Sequence, residues 1–218
     1  MNTERPETRR HNLKSALRDA AGSGRAFAVP GIFDPLGALR VEHLGFEAAF
    51  LGGWATGSHL GVTEPLMTMT ETVDATARVT ARTSLPLFVD AGAGWGEAVH
   101  VRRTVQELER AGAAVIQIED QYFPKRMEYH AGIEDICDRA EFVHRVKTCV
   151  QARQSDNTLV LARTSSCRAS TPRWSAWRTW RSRNNEAGSA RGRRDRPAVL
   201  CGRSAAAPCA RGHARHSK

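Results

Sequence analysis

Charged residues and glycines stand at the ends of the segments that we predict to be strands. In chain order, these positions are Asp34, Gly52-Gly53, Asp90, Glu119-Asp120 and Arg163. Carboxylates such as Asp90 and Glu119 suit a hard cation like Mg²⁺, held directly or through water. The planar guanidinium of Arg163 matches a carboxylate or a phosphonate, and glycines let backbone amides approach an oxyanion closely. These residue types favour a site for a divalent cation and a small anionic substrate.

A single aspartate after a strand also has a simpler explanation. The loop between a strand and a helix commonly begins with a polar residue that caps the helix, and for one residue such as Asp34 both explanations carry equal weight. Four of the five strand ends are charged, however. Because the carboxyl ends of barrel strands face a shared mouth, this convergence favours a functional site.

Residues 1–164 contain the elements that would position these side chains. Short apolar runs alternate with amphipathic helical patterns, as is typical of repeated strand–helix units around a parallel sheet. The predicted strands are 26–33, 46–51, 85–89, 113–118 and 159–162, and the predicted helices are 8–21, 34–44, 68–83, 97–111 and 135–154. Thr68 and Glu71 have capping-box spacing. The glycine-containing stretch after Gly53 and the polar stretch 119–132 are predicted as loops.

Five longer segments, in this order and spacing, resemble one enzyme superfamily. They are VPGIFDPLGA, FEAAFLGGWATGSHLGVTE, LPLFVDAGAGWGE, GAAVIQIEDQYFPKR and LVLART, within roughly residues 26–164. The combination resembles the isocitrate lyase and phosphoenolpyruvate mutase superfamily. The resemblance implies an α/β fold of the eight-stranded TIM-barrel type, incomplete here at about five βα units. It also implies that Mg²⁺ is the cofactor and stabilises an enolate-type oxyanion of a 2-oxo acid while a C–C or C–P bond is cleaved or rearranged.

The resemblance also implies a role for individual residues. Asp90 would be the principal metal carboxylate, and Glu119 and Glu64 would lie in the water shell of the metal. Arg163 would bind the substrate carboxylate. The other implied residues are Gly52 and Gly53, whose backbone would contact the substrate, and Lys125, a charged member of a mobile lid loop. Of these, Lys125, Arg163 and Glu119 are the predicted catalytic residues.

The sequence departs from the family pattern at two of these positions. Family members usually have Asp-x-Asp where this chain has Asp90-Ala91-Gly92, so one carboxylate of the metal shell is missing. Isocitrate and methylisocitrate lyases carry a catalytic cysteine in a KRCGH segment, whereas this chain has a methionine, Met127, at that position. Because a thioether cannot donate a proton, we do not expect an ordinary member of those two lyase types.

The substrate class stays open at this point. Phe123-Pro124-Lys125 is typical of the phosphonomutases and phosphonopyruvate hydrolases, but the Asn-Ser pair expected after it is absent. Both 2-oxo or 2-hydroxy dicarboxylates and phosphonates therefore remain candidate substrates. The family is homo-oligomeric, but assembly without the C-terminal barrel strands is in doubt.

The net charge of +9 comes from the end of the chain. Residues 1–164 contain 19 basic and 21 acidic residues, whereas residues 165–218 contain 13 basic and only 2 acidic ones. The second block has no Ile, Phe or Met and only one Val and one Leu, Val199 and Leu200. It predicts no strand and no core. We therefore divide the chain into a partial catalytic domain, 1–164, and a disordered, arginine-rich tail, 165–218.

Three interpretations of the basic tail compete. Its arginines, with Trp174, Trp177 and Trp180, could bind nucleic acid through phosphate contacts and base stacking. It could also be a solvated tail without function. We favour a third interpretation, a shifted reading frame, because 12 Arg against one Lys matches GC-rich DNA read out of phase better than selection for charge. A nucleic-acid partner is accordingly not expected.

The remaining composition indicates a cytoplasmic protein without a membrane partner. No apolar run approaches the roughly 18 residues of a membrane span, and no secretory signal is visible at the N-terminus. Five widely spaced cysteines without a CxxC pair argue against a disulfide framework or a zinc ribbon. Cys137 and Cys149 are predicted to be small buried side chains rather than nucleophiles.

Overall fold

The computed structural model of the chain describes residues 5–125 and 135–164, together with the backbone of residues 199–203. The elements are α1 (Pro6–Ser23), β1 (Gly31–Ile32), α2 (Pro35–His43), β2 (Ala49–Leu51), α3 (Gly53–Leu60), a 3₁₀ turn (Glu64–Leu66), α4 (Met69–Thr80), β3 (Leu87–Asp90), α5 (Ala98–Arg110), β4 (Val115–Glu119), α6 (Arg139–Ala152), β5 (Leu159–Thr164) and β6 (Val199–Arg203).

All six strands belong to one parallel sheet whose spatial order is the sequence order, β1-β2-β3-β4-β5-β6. A doubly wound sheet would reverse its strand order at a switch point, whereas a barrel adds each new strand beside the last one. The order therefore confirms the predicted α/β fold of barrel type.

The two faces of the sheet have different partners, because side chains alternate along a strand. One face packs against the helices and forms the larger core cluster, which includes Leu51, Val89, Ile116 and Val160. The other face is covered near the amino ends of the strands by α1, whose Leu13 belongs to the smaller cluster.

The second face changes from apolar to charged along β3, β4 and β5. In β3, Phe88 is followed two residues later by Asp90; in β4, Val115 leads to Glu119; in β5, Leu159 leads to Arg163. Cross-strand register places Asp90 opposite Gln117 and Glu119 opposite Arg163. A strict two-residue alternation therefore brings the predicted strand-end residues to one region.

The first two strands are shorter than predicted. Only Gly31–Ile32 and Ala49–Leu51 pair in the sheet, at its carboxyl-side end. The apolar residues Phe27 and Val29 lie before β1 and pack against the smaller core cluster without joining the ladder. Hydrophobic content alone therefore overestimated the length of these strands.

The loop predicted after Gly53 is wrong, because α3 and the 3₁₀ turn occupy this stretch. Its two glycines, at positions 57 and 61, favoured the prediction of a loop. Gly57 lies inside α3, where a Cβ would come within 3.1 Å of Val62 O and 3.2 Å of Met67 Sδ. Because Gly57 has no side chain, the 3₁₀ turn that follows can pack directly onto α3.

The predicted absence of a strand in the basic tail is also wrong, since β6 pairs in parallel with β5 along five residues. Without it, β5 would present unpaired N–H and C=O groups at a sheet edge. The strand contains Val199 and Leu200, the only two aliphatic β-forming residues of that block. The rest of residues 165–218 lies outside the described residues, so the predicted disorder of this block is not tested.

Candidate active site

The predicted site residues line two adjoining pockets at the carboxyl end of the sheet. Both pockets are lined by Gly53, Glu64, Asp90 and Lys125; Glu119 lines one of them, and Gly52 and Arg163 line the other. These residues come from the ends of β2, β3, β4 and β5, from the 3₁₀ turn, and from the loop after β4. Every residue predicted to bind metal or substrate therefore lines one or both of these pockets.

Backbone hydrogen bonds fix Asp90 and Glu119 relative to each other. Asp90 Oδ1 accepts a hydrogen bond from Gly92 N at 2.9 Å, and Gly92 O accepts one from Glu119 N at 2.9 Å. The loop reaches this shape with positive φ angles at Gly92 and Gly94, a region that glycine adopts without steric cost. The glycines after Asp90 thus hold the two carboxylates at adjacent strand ends.

Glu119 is the most buried charged residue of the site, at 1% exposure. Its Oε2 accepts a hydrogen bond from Arg163 Nη1 at 2.8 Å. Its Oε1 forms an ion pair with Lys125 Nζ at 3.0 Å, but this contact does not have hydrogen-bond geometry, and Oε1 has no hydrogen-bond donor among the described residues. Burial and the negative charge of Asp90 raise the pKa of Glu119 to about 7, against the lowering effect of both cations.

Lys125 lies between carboxylates on two segments. Its Nζ is 2.5 Å from Glu64 Oε1, and both side chains are only 13% exposed. Burial lowers the pKa of Lys125, but the negative charges of Glu119, Glu64 and Asp90 raise it above its ordinary value overall. Lys125 therefore stays charged on either side of the Glu119 titration, because Glu64 also faces it.

The donor set suits a hydrated Mg²⁺ rather than a cation enclosed by protein ligands. Among the described residues, no three His, Cys, Asp or Glu side chains are close enough to hold a metal ion directly. Mg²⁺ usually keeps several waters and binds through one or two carboxylates. Asp90 and the undonated Oε1 of Glu119 fit that mode, because water molecules can donate to a carboxylate oxygen.

Glycine at position 53 leaves room for the close approach of the Glu64 side chain. A Cβ there would lie 3.1 Å from both Cγ and Oε1 of Glu64. Gly53 is also the first residue of α3, and Gly53, Trp54 and Ala55 line the wider part of the pocket. Since the first amides of a helix lack intrahelical partners, the start of α3 offers donors to an anion. Sequence reasoning proposed the two glycines but missed the helix.

One wall of the pocket is apolar. Met67, Trp95, Tyr122 and Phe123 line it opposite the charged groups. Trp95 has a positive φ of 57°, and its indole Nε1 donates to Met67 O at 2.9 Å. Trp95 therefore both lines the pocket and packs against the segment that follows Glu64.

Arg145 supports the site from α6 and was missed in the sequence. Its Nη1 donates to the backbone oxygens of Glu119 at 2.7 Å and Gln121 at 2.8 Å, and its Nη2 donates to Glu141 at 3.0 Å. The side chain is buried. Its spacing in the sequence is that of an ordinary amphipathic helix, so only the three-dimensional contacts reveal it.

Replacing Arg145 by methionine is expected to lower the free energy of unfolding by about 2–4 kcal/mol, because two buried carbonyls lose a charged donor. Urea denaturation measures the change. The matched substitution Arg139→Met, at an exposed position of the same helix, should change stability by less than about 0.5 kcal/mol. Equal effects of the two substitutions would contradict the role of Arg145.

Two charged strand ends do not reach the pocket. Asp34 caps α2, since its Oδ1 accepts a hydrogen bond from Gly37 N at 2.7 Å. Asp120 Oδ2 accepts one from Thr164 Oγ1 at 2.6 Å, and Asp120 alternates with Glu119 toward the opposite side of the sheet. For Asp34 the simpler explanation, a helix cap, is correct, whereas Asp120 forms a side-chain contact between β4 and β5.

The two described cysteines are structural. Cys137 and Cys149 are buried and reduced. Burial raises the pKa of Cys137 to about 11 and that of Cys149 to about 12. Both thiols are therefore protonated and poor nucleophiles near neutral pH, as the sequence predicted.

The raised pKa of Glu119 predicts a pH-dependent stability in the presence of a chelator. The folded chain holds this proton up to about pH 7, whereas the ordinary value is 4.5. The stability that protonated Glu119 contributes is thus complete below pH 4.5 and is lost as pH rises through 7. Relative to Glu119→Gln, the wild-type protein should lose roughly 2–3 kcal/mol over this interval, at 1.36 kcal/mol per pKa unit. Parallel urea-denaturation stabilities of the two proteins from pH 4.5 to 7.5 would contradict it.

Comparison with known proteins identifies the class of this fold and site. The family model described as phosphoenolpyruvate phosphomutase matches residues 17–188. The chain belongs to this family, within the phosphoenolpyruvate mutase and isocitrate lyase superfamily. The match begins before and ends after the region 26–164 that the sequence motifs indicated.

Curated relatives include several C–C lyases. The 2,3-dimethylmalate lyase of Eubacterium barkeri is 36% identical over 155 residues, which cover 70% of this chain and 53% of that enzyme. The 2-methylisocitrate lyase of Aeropyrum pernix is 39% identical over 149 residues, covering 68% of this chain and 47% of that enzyme. The chain thus spans about half the length of these relatives.

Solved structures share the fold. A phosphonopyruvate hydrolase in complex with oxalate and Mg²⁺ has a TM-score of 0.67 and 28% identity, covering 80% of this chain and 59% of that one. A 2,3-dimethylmalate lyase has a TM-score of 0.66 and 30% identity, covering 78% and 58%. Within the described part of this chain, no helix is both long and apolar enough to cross a bilayer.

Proposed function

We propose that the chain carries the site of a Mg²⁺-dependent enzyme that cleaves or rearranges a C–C or C–P bond of a small 2-oxo or 2-hydroxy acid through an enolate-type intermediate. The observation that carries this proposal is the convergence of Asp90, Glu119, Lys125 and Arg163 on two adjoining pockets beside the start of α3. Charged groups of both signs in a shared, partly buried pocket are what developing charge on a small acid requires.

The cation would be held by Asp90 directly and by Glu119 and Glu64 through water. When bound, Mg²⁺ supplies a Lewis acid that polarises the 2-oxo group. The protein contributes the orientation of the three carboxylates, which the hydrogen bonds around Gly92 and the glycine at position 53 provide.

Arg163 would bind the substrate carboxylate. Its guanidinium is fixed by the hydrogen bond from Nη1 to Glu119 Oε2 and is partly exposed, with 24% of its side-chain surface accessible. A fixed, planar guanidinium is suited to paired hydrogen bonds with a carboxylate. Backbone amides of Gly53 and its neighbours in α3 would donate to the oxyanion that forms during bond cleavage.

Lys125 and Glu119 would be the remaining catalytic groups. Lys125 keeps its proton, because the carboxylates around it raise its pKa, so Nζ does not act as a base. When the cation holds Glu64 and Glu119, Nζ would be released from them and would serve as a positive charge toward the substrate. Without a bound cation, Glu119 has a pKa of about 7, so its carboxyl group would hold or release a proton near neutral pH, which suits acid–base chemistry.

Two reaction types remain candidates, and each has its own support. The curated lyases in the comparison favour C–C bond cleavage. The similarity to phosphonopyruvate hydrolase and the sequence Phe123-Pro124-Lys125 favour a phosphonomutase or a phosphonopyruvate-hydrolase-like activity. The apolar wall formed by Met67 and Trp95 is compatible with the carbon skeleton of either kind of substrate.

Turnover of a small substrate panel tests the proposal. The full chain is incubated with 2-methylmalate, oxaloacetate or phosphonopyruvate, with Mg²⁺ or with EDTA, and the products are followed by NMR. We expect turnover of at least one compound that depends on Mg²⁺. Turnover that persists in EDTA would contradict the role of the cation, and the identity of the consumed compound decides between C–C and C–P cleavage.

A further inference from the structure

Lys125 has an unusual position relative to the proposed cation site. Its Nζ lies 2.5 Å from Glu64 Oε1 and 3.0 Å from Glu119 Oε1. These two glutamates are the residues proposed to hold the water shell of the cation, and the charge of the third carboxylate, Asp90, also acts on Lys125. One ammonium group therefore pairs with two carboxylates of the proposed cation site and is stabilised by the charge of the third.

We infer that, in the metal-free protein, Lys125 Nζ occupies the position that the divalent cation would take and is displaced when the cation binds. The inference rests on the proposed cation site and adds a role for Lys125 as a positioning residue. In this role, Lys125 keeps Glu64 and Glu119 close together before the cation arrives and sets the affinity with which the cation binds.

The electrostatics of the pocket support this competition. Glu119 and Glu64 are largely removed from water, so their mutual repulsion is weakly screened and needs a positive charge between them. An ammonium and a divalent cation that share the same oxygens would repel each other, because like charges a few ångströms apart in a buried site are strongly unfavourable. The site therefore accommodates one of the two positive groups at a time.

Arg163 differs from Lys125 in this respect. It binds Oε2 of Glu119, whereas Lys125 pairs with Oε1 of Glu119 and with Oε1 of Glu64. Arg163 can remain in place when a cation occupies the position of Nζ. The geometry thus singles out Lys125 as the group that must move. By linkage, the cation must weaken the contacts of Lys125 by the same factor by which Lys125 weakens cation binding.

Calorimetric titration with Mn²⁺ tests the effect of Lys125 on affinity. Lys125→Met should bind the cation at least about tenfold more tightly than the wild-type chain. Lys147→Met is the matched control, because it removes the same charge from an exposed position on α6, and it should leave the affinity within about twofold. Unchanged or weaker binding by Lys125→Met would overturn the inference while leaving the cation site intact. No binding by any of the three proteins would instead overturn the proposed site itself.

Chemical labelling of the unaltered chain provides a second test that does not depend on a variant. The chain has four lysines, and reductive methylation followed by peptide mass spectrometry measures each one. Saturating Mg²⁺ should increase labelling of Lys125 several-fold, with no change at Lys14 and Lys147, which lie away from the site. If Lys125 is labelled equally slowly with and without the cation while calorimetry shows that the cation binds, the inference is wrong.

Discussion

Asparagine in place of Asp90 is expected to weaken Mg²⁺ binding at least about 100-fold, with a corresponding loss of any Mg²⁺-dependent turnover. The substitution removes the negative charge proposed to bind the cation directly, and even residues outside the first shell of a metal commonly contribute 10–100-fold to affinity. The side chain is 9% exposed, and an asparagine oxygen can still accept the hydrogen bond from Gly92 N, so the loop should keep its shape. Calorimetric titration of the metal-free proteins measures the effect.

Asp34→Asn is the matched control for this experiment. It makes the same chemical change at another strand end, but Asp34 caps α2, and asparagine caps a helix about as well as aspartate. Its cation affinity should equal that of the wild-type protein. If both variants lose affinity to the same degree, or if neither does, Asp90 is not the principal ligand.

Alanine in place of Gly94 is expected to lower the free energy of unfolding by about 3 kcal/mol or more. The added Cβ would lie 2.6 Å from Val101 Cγ2, and φ at this position is +85°. Overpacking a core commonly costs 1–3 kcal/mol, and the left-handed backbone adds about 1–2 kcal/mol for a residue with a Cβ. Because Gly94 lies in the loop that joins Asp90 to α5, cation binding should weaken as well.

Gly61→Ala separates the two contributions to this effect. Gly61 has a similar φ of +75°, but nothing lies within 4 Å of the position of its Cβ. It should therefore lose only about 1–2 kcal/mol, the cost of the backbone conformation. Urea denaturation of both variants gives the comparison. A Gly94→Ala variant no less stable than Gly61→Ala would show that the loop accommodates the methyl group.

The residues of the site that follow strands could be predicted from sequence because strands have a strict geometry. Asp90, Glu119 and Arg163 each end an apolar run, and parallel register then places them together at one edge. The same rule also selected Asp34, which caps α2, and Asp120, which accepts a hydrogen bond from Thr164. Side chains alternate between the two faces of a strand, so the face of a terminal residue can be predicted only if the strand end is known to within one residue. The sequence did not define the strand ends that closely.

The remaining features depend on contacts between distant segments. The sequence did not show that Lys125 would meet Glu64, 61 residues earlier, and only the family resemblance placed both near the site. The sequence shows the i,i+4 pair of Glu141 and Arg145, but it does not show that Arg145 also donates to the backbone oxygens of Glu119 and Gln121. The helix α3 was not predicted because it contains glycines. Whether a glycine serves close packing depends on which segment packs against it, and the sequence does not show that.

The composition of residues 165–218 predicted the high positive charge of this block but not its strand. The strand β6 shows that its one aliphatic pair extends the sheet, and the family match continues to residue 188. The interpretation that this block is read out of frame stays a prediction. It requires an insertion or deletion near the codons for residues 164–168; a gene without one, whose native product has the mass of this chain, would contradict it.

Binding of oxalate by the full chain tests most directly whether these strand ends form a joint site for a cation and a small carboxylate. Oxalate is present with Mg²⁺ in the phosphonopyruvate hydrolase that shares this fold. Calorimetry should detect oxalate binding in the presence of Mg²⁺ and show it weakened at least about tenfold by EDTA and by Arg163→Met, which removes the charged hydrogen bonds to the carboxylate. Oxalate binding with equal affinity in Mg²⁺, in EDTA and in the variant, or no binding under any condition, would contradict the account.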